Sequence, residues 1–81
     1  MREKQIEQKL VQAVRKSGGM CLKFVSPNFD GMPDRLILFP GGKIAFVELK
    51  ATGKKPRPLQ IARHKSLMKL GFSVYVIDSV E

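Results

Sequence analysis

Asp34, Glu48 and Lys50 are the residues whose types and spacing carry the most chemistry in this chain. Asp34 closes the run Gly31-Met32-Pro33-Asp34, and Glu48 and Lys50 bracket Leu49 on the far side of a Pro40-Gly41-Gly42 turn signal. Two carboxylates beside a lysine form the minimal kit for metal-assisted cleavage of a phosphodiester. Carboxylate oxygens are hard ligands for a divalent cation. A lysine can hold a water, deprotonate it as the neutral amine, or as the ammonium offset charge developing on phosphate. The chain has seven Asp and Glu against fifteen Lys and Arg, so the position of each acid is informative.

The surrounding elements must bring the three together. Residues 2–17 read as a helix, with Ile6, Leu10, Ala13 and Val14 at helical spacing and Gly18-Gly19 as the stop. Met20 to Val25 reads as a short strand, and Ser26 to Pro33 as a loop broken by two prolines and a glycine. Arg35 to Phe39 is an apolar strand, and Lys43 to Lys50 is its return strand. A basic linker from Ala51 to Arg57 leads to a second helix, with Pro58 in its first turn and Gly71 at its end. Phe72 to Ile77 is a final strand rich in β-branched and aromatic residues. The expected order is α-β-β-β-α-β in one unit spanning 1–81.

Side chains alternate on a strand, so Ile44, Phe46, Glu48 and Lys50 share one face of the return strand. Glu48 and Lys50 stand about 6.5 Å apart along it. A three-residue turn (Pro40, Gly41, Gly42) pairs Phe39 with Lys43 and, counting back, Asp34 with Glu48. A two-residue Gly41-Gly42 turn pairs Asp34 with Lys50 instead. Either register puts Asp34 on the face of Glu48 and Lys50, since directly opposed residues share a face. Two carboxylates held together among Leu36, Ile44 and Phe46 repel each other and lose solvation, and a divalent metal, Mg²⁺ or Mn²⁺, relieves both costs. An arbitrary Asp…Glu-x-Lys is more often an ordinary ion pair on a solvated face. The Gly-x-Pro loop, the apolar company of Glu48 and the basic second half favour the metal reading.

The net charge is +8, and no acid lies between Leu49 and Ile77. Lys54, Lys55, Arg57, Arg63 and Lys65 fall within that stretch and are the expected contacts to a polyanion, nucleic acid before a membrane surface. Cys21 is alone, which rules out an internal disulfide and fits a reducing compartment. No apolar run is long enough to span a bilayer, and the charged start is not a secretory signal, so a soluble, cytoplasmic protein is expected.

Pro33-Asp34 followed by Glu48-Leu49-Lys50 matches the PD-(D/E)xK nuclease pattern. With Ser26-Pro27, Gly31-Met32-Pro33-Asp34-Arg35 and Gln60, the chain resembles the VRR-NUC (virus-type replication-repair nuclease) family over nearly its whole length, in particular the short phage and bacterial members. The resemblance implies an α/β, restriction-endonuclease-like core with a mixed sheet flanked by helices, and metal-dependent hydrolysis of DNA. It implies that Asp34 and Glu48 bind the metal with the Leu49 carbonyl, that Lys50 is catalytic, and that Gln60 supports the site. It also calls for a first-helix glutamate near the metal, for which Glu7 is the best match and Glu3 the runner-up. His64, one turn beyond Gln60 on the same face, could touch phosphate or the site, but a lone helical histidine is more often an ordinary one. A structure-selective endonuclease acting as a homodimer on branched DNA such as a four-way junction is the expected activity. Flap or single-stranded DNA as substrate, or a basic binding module without catalysis, are the alternatives.

Overall fold

The computed structural model describes residues 1–79; residues 80 and 81 of the expected unit lie outside the described residues. The elements run α1 (Glu3–Lys16), β1 (Met20–Lys23), β2 (Arg35–Phe39), β3 (Lys43–Leu49), α2 (Pro58–Lys69) and β4 (Ser73–Ile77), in the expected order. They form a four-stranded mixed sheet in the order β1-β2-β3-β4. The pairs β1–β2 and β2–β3 are antiparallel, and β3–β4 is parallel. The parallel pair needs a crossover, which α2 supplies.

Phe39 pairs with Lys43, so the turn has three residues, and Arg35 pairs with Val47. Gly41 and Gly42 both have φ near +80° (85° and 77°), a conformation that residues with a Cβ resist. Asp34, one residue before β2, therefore stands opposite Glu48.

One face of the sheet carries the main apolar core. Ile6, Leu10 and Val14 of α1 pack there on Ile37, Ala45, Val47 and Leu49. The other face carries Phe46, which meets Phe24 and Phe72 edge-on at 5.8 and 5.6 Å between ring centroids. Burial of this kind contributes about 1.5–3 kcal/mol per large apolar side chain, and it fixes which residue of β3 faces which helix.

Three strand boundaries differ from expectation, and at the first of them β3 ends at Leu49, one residue short of Lys50. The Phe72 amide bonds to the Leu67 carbonyl and Gly71 to Met68, a helix-closing pair that keeps Phe72 out of β4. Strand β1 stops at Lys23, although Phe24 N–H still reaches the Asp34 carbonyl at 2.7 Å. That bond fixes the end of the loop beside β1. Among the described residues, no helix is long and apolar enough to cross a membrane.

Candidate active site

Glu48 points away from the α1 core, on the face of Phe46, and is 1% exposed. Such burial of a carboxylate is rare without a partner. Its partners come from three directions. Asp34 stands opposite on the β2 side. Lys50 Nζ lies 3.8 Å from Glu48 Oε2. Helix α2 lowers Gln60 and His64 onto it, with Gln60 Nε2 3.4 Å from Oε2 and His64 Nε2 3.6 Å from Oε1.

Three of these neighbours are tied to the backbone. Asp34 Oδ2 accepts the Leu49 amide at 3.0 Å, and Lys50 N–H donates to the Ile77 carbonyl of β4 at 3.0 Å. Gln60 occupies the third position of α2, where its Oε1 accepts the Arg57 amide at 2.8 Å. This bond is one half of a capping box, and it leaves the amide NH₂ turned to Glu48. Residues 60, 64 and 67 form the buried stripe of α2, so the helix buries a glutamine, a histidine and a leucine.

The loop before Asp34 is pressed against the same helix. A Cβ on Gly31 (φ +89°) would stand 2.9 Å from both Leu59 Cγ and Arg63 Cγ. Arg63 Nε donates to the Asp30 carbonyl at 2.8 Å, and its guanidinium lies 3.9 Å from the centre of the Phe29 ring. Pro33 is fully buried next to Asp34.

The electrostatics follow from this packing. Burial pushes the Glu48 carboxyl up to about 8, the adjacent Asp34 carboxyl adds to the shift, and Lys50 opposes it. Burial and the Lys50 charge hold His64 below its usual range, against the pull of Asp34. Glu48 Oε1 and His64 Nε2 are both buried without a hydrogen-bond partner. A buried acid thus stands against a second, half-buried one, with one ammonium, that of Lys50, within reach of Glu48.

No family model matches the chain. A relative named "Putative nuclease p44", from Acyrthosiphon pisum secondary endosymbiont phage 1, is 54% identical over 79 residues, 98% of this chain and 85% of the relative. A solved structure described as "VRR_NUC domain" matches with a TM-score of 0.90 and 31% identity, over 98% of this chain and 86% of that one. The chain belongs to the VRR-NUC family.

In this VRR-NUC domain, Asp34, Glu48, Lys50 and Gln60 gather at one place, as the sequence led us to expect. Glu7 does not join them. It pairs with Arg35 Nη2 at 2.9 Å, and Arg35 opposes Val47, on the α1 face of the sheet and away from Glu48. The α1 acid whose charge reaches Glu48 is Glu3, the runner-up. Arg63 is also corrected in part: its guanidinium is engaged by the loop and Phe29, whereas Lys54, Lys55, Arg57 and Lys65 are exposed.

His64 is the residue that sequence reasoning underrated. The available signal was its place four residues after Gln60 and three before Leu67, which is one face of a helix.

The donor set fits a hard divalent cation. Mg²⁺ is commonly held by one or two carboxylates, with waters and substrate oxygens completing its shell. The unpartnered Glu48 Oε1 and the raised Glu48 carboxyl are what two acids awaiting a cation would show. Among the described residues no three His, Cys, Asp or Glu side chains form a ready metal cluster.

Proposed function

We propose that this VRR-NUC nuclease is a metal-dependent, structure-selective DNA endonuclease. The observation that carries the reading is Glu48, a buried carboxylate facing Asp34 with one oxygen unpartnered. Asp34, Glu48 and the Leu49 carbonyl would hold Mg²⁺ or Mn²⁺, with Glu3 a further acid whose charge is felt at Glu48. When bound, the cation would polarise the scissile phosphate and lower the pKa of a water.

The chain's own residues supply the rest. Lys50 is placed to orient or deprotonate the attacking water, or to offset charge growing on phosphate. Gln60 steadies Glu48 from above. The exposed Lys54, Lys55, Arg57 and Lys65 hold phosphates, which positions a nucleic acid without reading its sequence. Selectivity then rests on the shape of the DNA. A symmetric pair of chains would place two sites on a four-way junction, within the cytoplasm of a bacterium or phage-infected cell. A solution mass of one chain under cleavage conditions would remove the dimer from this reading.

The deciding experiment incubates the protein with branched, flapped, single-stranded and linear DNA in Mg²⁺ and in Mn²⁺, with EDTA as control. Metal-dependent cutting with preference for a branched substrate is expected. Glu48→Ala and Lys50→Ala should keep DNA binding and lose cleavage. Tight DNA binding with no cutting in either metal would leave a binding module in place of an enzyme.

A further inference from the structure

The unpartnered atoms Glu48 Oε1 and His64 Nε2 face each other at 3.6 Å, each deeply buried. His64 is 5% exposed. Leaving both unpaired costs free energy that a leucine or methionine at position 64 would avoid. The distance lies just beyond a good N–H···O bond. The Gln60 contact to the other oxygen of the same carboxylate is likewise long, at 3.4 Å. Gln60 and His64 sit one turn apart on α2, so both donors stand slightly back from one carboxylate, one over each oxygen.

We infer that His64 is a positioning residue for Glu48: its Nε2–H and the Gln60 amide grip the two carboxylate oxygens when Glu48 carries its charge to a cation. Each oxygen has two lone pairs, so a donor on one leaves the other for the metal. Outer donors of this kind fix a ligating carboxylate in direction, and removing one typically costs about 10–100-fold in metal affinity. The arrangement explains why α2 buries two polar side chains where its periodicity would suit apolar ones. His64 acts through Glu48 and does not itself touch the reacting atoms.

The inference rests on the metal-dependent reading, and its test separates the two. Mn²⁺ alone is titrated calorimetrically into the full chain without DNA, and the metal-free melting temperature is recorded alongside. The variants are His64→Gln, which keeps an N–H near the same place, and His64→Met, which fills the space without one. His64→Met should bind Mn²⁺ about tenfold or more weakly without a lower metal-free melting temperature, while His64→Gln stays within about threefold of the unaltered chain.

Equal Mn²⁺ affinity in His64→Met and the unaltered chain would overturn the inference and leave the metal-dependent reading intact. So would a His64→Met chain that does not fold, which would make the imidazole structural. Pulsed EPR of Mn²⁺ in the unaltered chain should lack the strong nitrogen coupling of a coordinated imidazole; finding it would make His64 a ligand and overturn the positioning role. If Mn²⁺ binding is absent, or is unaffected by Glu48→Gln, the metal-dependent reading falls and takes this inference with it.

Discussion

The Asp34 carboxylate accepts the backbone N–H of Leu49 at 3.0 Å, so the side chain at the loop exit is bonded to the main chain of β3 between Glu48 and Lys50. Its own carbonyl accepts the Phe24 amide at 2.7 Å on the other side. Asp34 is thereby anchored across three strands, and its charge is delivered to Glu48 by main-chain geometry.

This double use separates two substitutions. Asp34→Asn keeps an oxygen for the Leu49 amide and loses the charge, whereas Asp34→Ala loses both. Both should lose cleavage by about a hundredfold or more. Only Asp34→Ala should be clearly destabilised, by ~1 kcal/mol for the lost hydrogen bond, or about 4–8 °C in melting temperature for a domain of this size. Comparable melting curves for the two variants would contradict the anchoring role.

Glu48 predicts a pH dependence of the metal-free protein. Its folded carboxyl is raised to about 8 from an ordinary value of 4.5. The folded state therefore holds this proton more tightly than the unfolded chain does. The associated stability is complete below the ordinary carboxylate range and is lost as pH rises through about 8. Glu48→Gln removes this term, so without divalent metal the variant should melt higher than the unaltered chain at pH 9 and converge with it near pH 4. Parallel melting-versus-pH curves for the two proteins would refute the assignment.

Gln60 has two roles that chemistry can split. Gln60→Glu keeps an oxygen for the Arg57 amide, and glutamate is favoured at that helix position. It also sets a third carboxylate against Glu48. The variant should keep the start of α2, judged by circular dichroism, yet cleave DNA at least about tenfold more slowly. Gln60→Ala should lose the cap as well, at a cost of about 0.5–2 kcal/mol. Full cleavage by Gln60→Glu would show that the contact to Glu48 is idle.

Gly31→Ala tests the seat of the loop on α2. The new methyl group would press on Leu59 and Arg63 at 2.9 Å, in a backbone conformation that alanine resists. Destabilisation of about 1–3 kcal/mol is expected, with reduced cleavage as Asp34 moves. Unchanged stability and activity would mean that the loop seats elsewhere.

Much of this was legible because strands obey a strict alternation. Gly41-Gly42 implied a tight turn, and every tight register put Asp34 on the face of Glu48 and Lys50. The three-residue turn then chose the register that opposes Asp34 to Glu48. Helices were harder to read. The Ile6-Leu10-Val14 stripe shows that α1 packs on something, but periodicity does not say which sheet face it covers, and Glu7 went with the face of Arg35. Helix α2 hid its site because its buried stripe is polar at Gln60 and His64, while Leu59, Ile61 and Met68 stay exposed. Arg63 looked like a free cation because a sequence does not show that a loop 33 residues earlier would occupy it.

The crossover also sets an order in time. The hairpin bearing Asp34, Glu48 and Lys50 is local and is made first, whereas Gln60 arrives with α2, and the Lys50 amide finds its acceptor only at Ile77. A ribosome therefore delivers the carboxylates ahead of the parts that shut and steady them. The growing chain carries the two acids and the lysine before it carries their surroundings, and the proposed site is complete only once β4 has been delivered.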